Sequence, residues 1–266
     1  MNSNSSETVL ITGASAGIGF ELAKLFARDG CQLVLNARDP ERLAQAAKAI
    51  ESQFGKPVLP VTADLSKPEA PLEIFQILKG KRIAIDVLVN NAGYGMHGAF
   101  EKTDTPRELA MIQLNVLSLT HLTKLFLPEM LRKGKGGILN VASTAAFQPG
   151  PLMAVYYATK AYVYSFTRAL RREIAGRGIT VSVLCPGPTR SSFQEKAGLD
   201  KGLKIFRAGL MSASQVAEYG YRNFQKGKAV IIPGFINKLL ALGSRIVPEG
   251  LAIEMVHFLQ QGKGSD

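Results

Sequence analysis

The sequence predicts a doubly wound α/β fold: a single domain built on a seven-stranded parallel sheet with helices on both faces. Three observations predict it. Apolar runs of four to seven residues alternate with longer stretches of helical periodicity, the rhythm of βαβ units. Most of those runs are apolar without interruption, as strands covered on both faces must be. Glycines stand just past the ends of the periodic stretches, where helices commonly finish in a left-handed residue.

In chain order, residues 9–12 (Val-Leu-Ile-Thr) make the first strand and enter a glycine-rich turn; the periodic stretch 19–29 follows and stops before Gly30. Residues 32–37 give the second strand and 40–54 the second helix, opened by Pro40 and ended by Gly55. The third strand, 58–62, leads to a helix over 69–78, with Gly80 beyond it. The fourth strand, 85–90, precedes the longest helical pattern, 106–132, which stops before Gly134. Residues 138–141 and 180–184 are strands separated by a helix over 154–177 that ends at Gly178, and 229–232 is the last strand. No linker interrupts the chain, so 1–266 is read as one domain. The coenzyme-binding and catalytic core is 7–193, and 194–266 is read as a substrate lid and C-terminal helices, the patterning being loose over 192–210.

Composition narrows the function classes. With 46% hydrophobic and 20% charged residues and a mean hydropathy of +0.08, the chain folds rather than staying disordered. Two distant cysteines, Cys31 and Cys185, make neither a disulfide framework nor a CxxC zinc site, so no metal is expected and a reducing, cytoplasmic setting is. The N-terminal residues lack the basic start and apolar stretch of a signal peptide. The uncharged run 136–159 is broken by Asn140, Ser143, Gln148 and Pro149-Gly150-Pro151, which excludes a membrane span there. A net charge of +11 is read as a basic surface, because Lys and Arg are spread along the chain without a nucleic-acid motif; no nucleic-acid partner is expected.

The turn after the first strand reads Thr12-Gly13-Ala14-Ser15-Ala16-Gly17-Ile18-Gly19 and opens a helix. Gly13 allows a tight turn, Gly17 lets backbone amides approach a pyrophosphate, and Gly19 lets helix and strand pack closely. Strand, glycines and helix in that order point to a dinucleotide. The second strand ends in Asn36-Ala37-Arg38-Asp39. A carboxylate there accepts from the adenosine ribose in NAD sites; Ala37 leaves room for a 2′-phosphate and Arg38 offers it a guanidinium, which favours NADP(H). The competing possibility is that Asp39 turns to the ribose and Arg38 is a solvated loop charge.

Further on, Tyr156 and Lys160 stand at i,i+4 on one helical face, so that an ammonium lies beside a phenol and is expected to lower its pKa toward general acid–base use. Ser143 follows a strand end on the ligand side of such a sheet, where its hydroxyl can donate to a substrate carbonyl. His97, His121 and His257 have neither nucleophile nor metal spacing, which disfavours a hydrolase.

Together these segments resemble the short-chain dehydrogenase/reductase family over roughly residues 7–193: the coenzyme turn, Asn90-Asn91-Ala92-Gly93, Asn115, Ser143, Tyr156-x3-Lys160 and Pro186-Gly187-Pro188-Thr189, with Asp64-Leu65 after the third strand. The resemblance implies a Rossmann-type fold. It implies that Tyr156 exchanges the proton, Ser143 holds the carbonyl oxygen, Lys160 binds the nicotinamide ribose, and Asn115 positions a water. Gly13, Ser15, Ala16, Gly17, Ile18, Gly19, Arg38, Asp64, Leu65, Asn91, Ala92, Gly93, Pro186, Gly187 and Thr189, with Tyr156 and Lys160, would hold NADP(H). Ala142 replaces a frequent serine, Thr159 another, and Ala16 stands where some NADP enzymes carry a basic residue. The branch it resembles is broad, similar also to hydroxysteroid and long-chain ketoacyl reductases, and fixes no substrate. The implied activity is NADP(H)-dependent reduction of a carbonyl compound, or oxidation of the corresponding alcohol; an NAD-linked alcohol dehydrogenase and a non-catalytic NADP-binding regulator or scaffold are the alternatives.

Tyr94, Met96, Phe147, Met153 and Phe193 are candidates for an apolar substrate pocket, and Lys196, Lys201, Lys204 and Arg207 belong to a solvated lid in preference to specific anion recognition. The stretch 235–247 is amphipathic and is expected to pack on the domain or a partner subunit, in preference to a membrane surface. By the resemblance, a homodimer or homotetramer pairs through the helices that carry Asn115 and Tyr156.

Overall fold

A computed structural model describes residues 7–190, 210–243 and 247–260. Its strands are β1 (Thr8–Thr12), β2 (Gln32–Ala37), β3 (Val58–Thr62), β4 (Val87–Asn90), β5 (Gly136–Val141), β6 (Ile179–Leu184), β7 (Thr189–Arg190), β8 (Met211–Ser212) and β9 (Val230–Ile231). Seven of them form one sheet in the order β3-β2-β1-β4-β5-β6-β9, parallel throughout. The short β7 and β8 pair separately. The helices are α1 (Gly17–Arg28), α2 (Pro40–Phe54), α3 (Ala70–Gly80), α4 (Thr105–Ile112), α5 (Leu119–Lys133), α6 (Ala154–Glu173), α7 (Ala213–Gln225), α8 (Phe235–Gly243) and α9 (Glu249–Gln260). The strand order reverses between β1 and β4, and a doubly wound sheet opens its ligand crevice at that point.

Alternation along the strands divides the core into two layers. Val9 and Ile11 of β1 face Leu22, Phe26, Leu43, Ile50 and Phe224 from α1, α2 and α7. Leu10 points the other way, with Leu88 and Ile138, toward Ile74, Leu122, Phe126, Met130 and Leu170 from α3, α5 and α6. Both faces of β1 are therefore apolar, which explains its unbroken hydrophobic run. Polar side chains pin the second layer near the crevice. Asn90 Nδ2 donates to Asn140 Oδ1 at 2.9 Å and to Thr123 Oγ1 at 3.2 Å, and Asn140 Nδ2 donates to Thr167 Oγ1 at 2.9 Å. Sheet, α5 and α6 are thus locked in register by bonds with no solvent competition.

Element boundaries shift from the sequence expectation in three informative places. The long helix 106–132 is interrupted by a π-helical turn, Gln113–Ser118, that holds Asn115. Helix α6 stops at Glu173, short of 177, with Ile174 as its cap. Gly80 is the last residue of α3; Lys81 caps that helix and Arg82 takes the left-handed conformation. Gly30, Gly55, Gly134 and Gly178 do adopt positive φ.

At Gly178 that freedom is a structural requirement: φ is +76° and an added Cβ would lie 1.9 Å from the Gly134 carbonyl oxygen. Gly178→Ala is expected to lower stability by at least about 2 kcal/mol, measured by urea unfolding. A change below about 0.5 kcal/mol would show that the turn can move away at little cost.

Candidate active site

One crevice of about 880 Å³ runs along the carboxyl ends of the strands. Gly13, Ser15, Ala16, Gly17, Ile18, Arg38, Asp64, Leu65, Asn91, Ala92, Gly93, Ser143, Tyr156, Lys160, Pro186, Gly187 and Thr189 all line it. Of the site residues expected from sequence, only Gly19 and Asn115 lie behind the wall. Gly19 is a packing residue, because a Cβ there would meet Asn91 Nδ2 at 2.4 Å and the Gly13 carbonyl at 2.5 Å. Asn115 is buried: its Oδ1 accepts from the Tyr94 amide at 3.2 Å, and its Nδ2 donates to the Tyr94 carbonyl and to Thr159 Oγ1, each at 3.0 Å. Thr159, noted as a replacement for serine, supplies the hydroxyl for that bridge.

Local sequence explains the coenzyme end. Gly13 and Gly17 adopt φ of +64° and +60°, turning the chain sharply into α1. Thr12 Oγ1 accepts from the amides of Asn91 and Ala92, both at 3.0 Å, and Asn91 Nδ2 donates to the Thr12 and Gly13 carbonyls. The turn is therefore clamped to the end of β4. Ala16 at the α1 N-cap contributes no side-chain acceptor, and the first turn carries no acid, so its leading amides face the crevice ready for an anion.

Asp39 lines the crevice and also caps α2. Its Oδ1 accepts from the Arg42 amide at 3.0 Å as the N-cap of α2, and Oδ2 lies 3.4 Å from Arg42 Nε. Arg38 lies at the rim, and Arg42, overlooked in the sequence, lines the crevice with it. Its signal was helix geometry: a residue three past an N-cap returns to the cap. Asp64 is held by Ser66, whose amide and hydroxyl donate to its Oδ1 at 3.0 and 2.8 Å.

At the chemical end, Tyr156 hydrogen-bonds Ser143 through its hydroxyl, and burial pushes that phenol well above its ordinary range, with the serine opposing the rise. Lys160 is also buried; desolvation brings its pKa down to about 8. Its Nζ donates to the Val141 carbonyl at 3.1 Å and lies 5.8 Å from the centre of the Tyr156 ring. The expectation that the ammonium lowers the tyrosine pKa is thus corrected: the cation faces the ring and a carbonyl rather than the hydroxyl, and desolvation governs both groups. Ser143 Oγ accepts from the Ala145 amide at 3.1 Å and contacts the Pro186 carbonyl at 3.4 Å, which fixes the hydroxyl at the end of β5.

Beyond Tyr156, the crevice is walled by Tyr94, Ala145, Met153, Tyr157 and Gln260. Gln260, at the end of α9, donates from Nε2 to the Tyr157 hydroxyl at 2.9 Å, and its carbonyl meets His97 Nε2 at 3.0 Å. No periodicity links residue 260 to this site, so sequence reasoning missed it. Of the expected pocket residues, Tyr94 and Met153 line the crevice. Met96 is buried beside Met153, and Phe147 packs edge-on against Tyr164 at 5.0 Å. Phe193 and the cations Lys196, Lys201, Lys204 and Arg207 lie outside the described residues.

Comparison with known proteins agrees with this geometry. A short-chain dehydrogenase from Sphingobium yanoikuyae, solved in complex with NADPH, superposes with a TM-score of 0.81 at 33% identity, covering 92% of this chain and 94% of that one. An oxidoreductase of Staphylococcus saprophyticus is 35% identical over 181 residues, 68% of this chain and 77% of its own length. The ketoacyl reductase HetN of Nostoc sp. is 35% identical over 189 residues, 70% of this chain but 65% of its own length. The short chain dehydrogenase profile matches residues 7–202. That match takes in β1 through β7 and every motif gathered at the crevice, so the chain belongs to the short-chain dehydrogenase family.

Proposed function

We propose that the protein is an NADP(H)-dependent carbonyl reductase in which Tyr156 is the proton donor. The observation that carries this reading is the Tyr156–Ser143 hydrogen bond inside a crevice whose other end is a glycine turn at an uncapped helix N-terminus. The residues fit the coenzyme: a Cβ at Gly13 would lie 2.9 Å from Ala92 Cα, so the turn keeps backbone amides at the surface for a pyrophosphate. Arg38 and Arg42 would hold the 2′-phosphate, Asp64 and Leu65 the adenine, and Lys160 the nicotinamide ribose. NADPH, when bound, supplies the hydride.

This chain's own residues handle the proton and the charge. A carbonyl oxygen placed against Ser143 and Tyr156 receives two hydrogen bonds that strengthen as negative charge develops on it. Tyr156, like any phenol, holds its proton at neutral pH and can deliver it to that oxygen as charge develops there; burial raises its pKa and so weakens it as a donor, and the Ser143 hydrogen bond opposes that rise. Lys160, buried below the ring, contributes positive charge while protonated. Asn115 fixes the Tyr94 backbone and Thr159, which braces the helix that carries Tyr156. Ala145, Met153 and Tyr157 suit a lipophilic group beside the carbonyl, with the Gln260 amide at the far wall. Assembly of copies is proposed through α4–α5 and α6, where Leu109, Leu117 and Tyr162 are exposed.

The test is coenzyme consumption by the purified protein with aromatic, steroid, medium-chain and acyl-thioester ketones. NADPH turnover with at least one ketone is expected; coenzyme binding with no turnover on any of them would favour a regulatory role. For coenzyme choice, Arg38→Asp is expected to shift the NADPH-over-NADH preference in kcat/KM by about 10- to 100-fold toward NADH, since hydrogen bonds to a charged group contribute about 1.5–3 kcal/mol. An unchanged ratio would remove Arg38 from the phosphate site.

A further inference from the structure

Helix α9 buries a polar residue while its leucine faces outward. Its buried residues are Ala252, Val256 and Gln260, the last only 2% exposed, whereas Leu251 is 65% exposed. Helix α8 likewise turns Leu239, Leu240 and Leu242 outward, so the expectation that 235–247 packs on the domain fails for its apolar face. An ordinary surface helix buries its larger apolar side chains and solvates its polar ones. Burying an amide is unfavourable unless both of its ends are hydrogen-bonded. At Gln260 one end is: Nε2 donates to the Tyr157 hydroxyl at 2.9 Å. The other end, Oε1, is buried with no donor among the described residues. Its surroundings are fixed. Gly150 lies so close to the Tyr157 ring that a Cβ there would be 2.3 Å from Cγ, and the Gln260 carbonyl meets His97 Nε2 at 3.0 Å.

We propose that Gln260 is a specificity residue: together with Tyr157 it recognises a hydroxyl group of the ketone, remote from the reacting carbonyl. Both residues line the crevice, and the Tyr157 ring stands 6.1 Å from that of Tyr156, so a substrate whose carbonyl oxygen meets Tyr156 has the pair within its reach. The count of donors and acceptors selects a hydroxyl. With Nε2 donating to the Tyr157 oxygen, the phenol proton and Oε1 are left for a ligand, one donor and one acceptor. Half a turn about the soft terminal torsion of the glutamine lets Tyr157 donate to Oε1 and leaves an Nε2 donor and a phenol lone pair, again one of each. A hydroxyl both donates and accepts, so it satisfies the pair in either orientation. An ether or a second carbonyl only accepts, and an ammonium only donates. Ala145 and Met153, also on this wall, suit the carbon frame between the two oxygens. The inference deepens the reductase reading and rests on it.

The test compares benzylacetone with its ortho-, meta- and para-hydroxylated forms and their methyl ethers, as substrates with NADPH. At least one hydroxylated ketone is expected to exceed benzylacetone in kcat/KM by about 10- to 100-fold, because it relieves the penalty of an unpaired buried acceptor. Its methyl ether, which cannot donate, is expected to lose that advantage. Gln260→Met keeps the volume without the acceptor, and is expected to bring the ratio of hydroxylated to parent ketone within about threefold of one. A merely structural role would lower both ketones together and leave the ratio unchanged. Isothermal titration of the same ketones into protein saturated with NADP+ reads the ratio in Kd, without turnover. A hydroxyl preference in Kd that Gln260→Met abolishes upholds the assignment even where no ketone is reduced, and only the reductase reading then falls. Should Gln260→Met not fold, Tyr157→Phe keeps the ring against Gly150 and is expected to cut the preference by about tenfold. No hydroxyl preference in either kcat/KM or Kd overturns the proposal, and so does a preference that survives the substitution.

Discussion

Tyr156→Phe is expected to reduce kcat for NADPH-dependent ketone reduction by about 10²–10⁴-fold, the range for loss of a positioned general acid, while the protein still folds and binds NADPH. The separation of these effects follows from where the hydroxyl sits. The ring packs edge-on against Tyr157, with centroids 6.1 Å apart, and lies over Lys160; phenylalanine keeps both contacts. Burial penalises only the ionised phenolate, so deleting the hydroxyl removes no charge from the neutral-pH fold. Ser143 loses one partner but keeps the Ala145 amide and the Pro186 carbonyl. Stability should therefore change by less than about 1.5 kcal/mol, the range of one net hydrogen bond. Because the chain has no tryptophan, NADPH fluorescence can be titrated without indole overlap. A variant that retains turnover within tenfold of the parent would assign the proton to another group.

What was legible in the sequence was whatever short-range pattern encodes. Continuous apolar runs such as Val9, Leu10 and Ile11 gave the buried strands because alternate side chains enter opposite layers. Glycines at 13 and 17 gave the turn because their backbone φ is open to few other residues. The i,i+4 rule placed Tyr156 and Lys160 on one face, though not the direction of the lysine: its Nζ finds the Val141 carbonyl, a contact set by β5 rather than by α6. The π-helical turn at Asn115 was equally hidden, since it adds one residue to a helical turn without changing composition. Contacts between distant segments left no local trace. Gln260 reaches Tyr157 across 103 positions, and the outward leucines of α8 have the same periodicity as inward ones. Periodicity tells that a helix has an apolar face; only packing tells which way that face points.

Lys160→Met is the prediction in which stability and activity move in opposite directions. Lys160 is buried at the crevice wall, and the pKa of its ammonium is brought down to about 8 by desolvation, against about 10.4 in an unfolded chain. Below pH 8 both states hold the proton, and the folded state bears the full penalty, on the order of 3 kcal/mol. Between about pH 8 and 10.4 the folded protein has released a proton that the unfolded chain retains, so the stability of the parent rises with pH across that window. Methionine occupies similar volume without charge and forfeits only the hydrogen bond to Val141, about 1 kcal/mol. At pH 7 the variant should therefore be more stable by about 1–3 kcal/mol, and its advantage should shrink as pH rises through 8 toward 10. Reductive kcat/KM should fall by at least about 100-fold at pH 7, because the buried positive charge near the tyrosine and the coenzyme ribose is gone. The parent should lose reductive activity above about pH 8, as its own ammonium neutralises. Urea unfolding of both proteins at pH 7 and pH 10, with kinetics on the same samples, decides the matter. A variant less stable than the parent at pH 7 would mean that the lysine charge is compensated in the fold. The cost of keeping that charge would then not be a sacrifice of stability for catalysis.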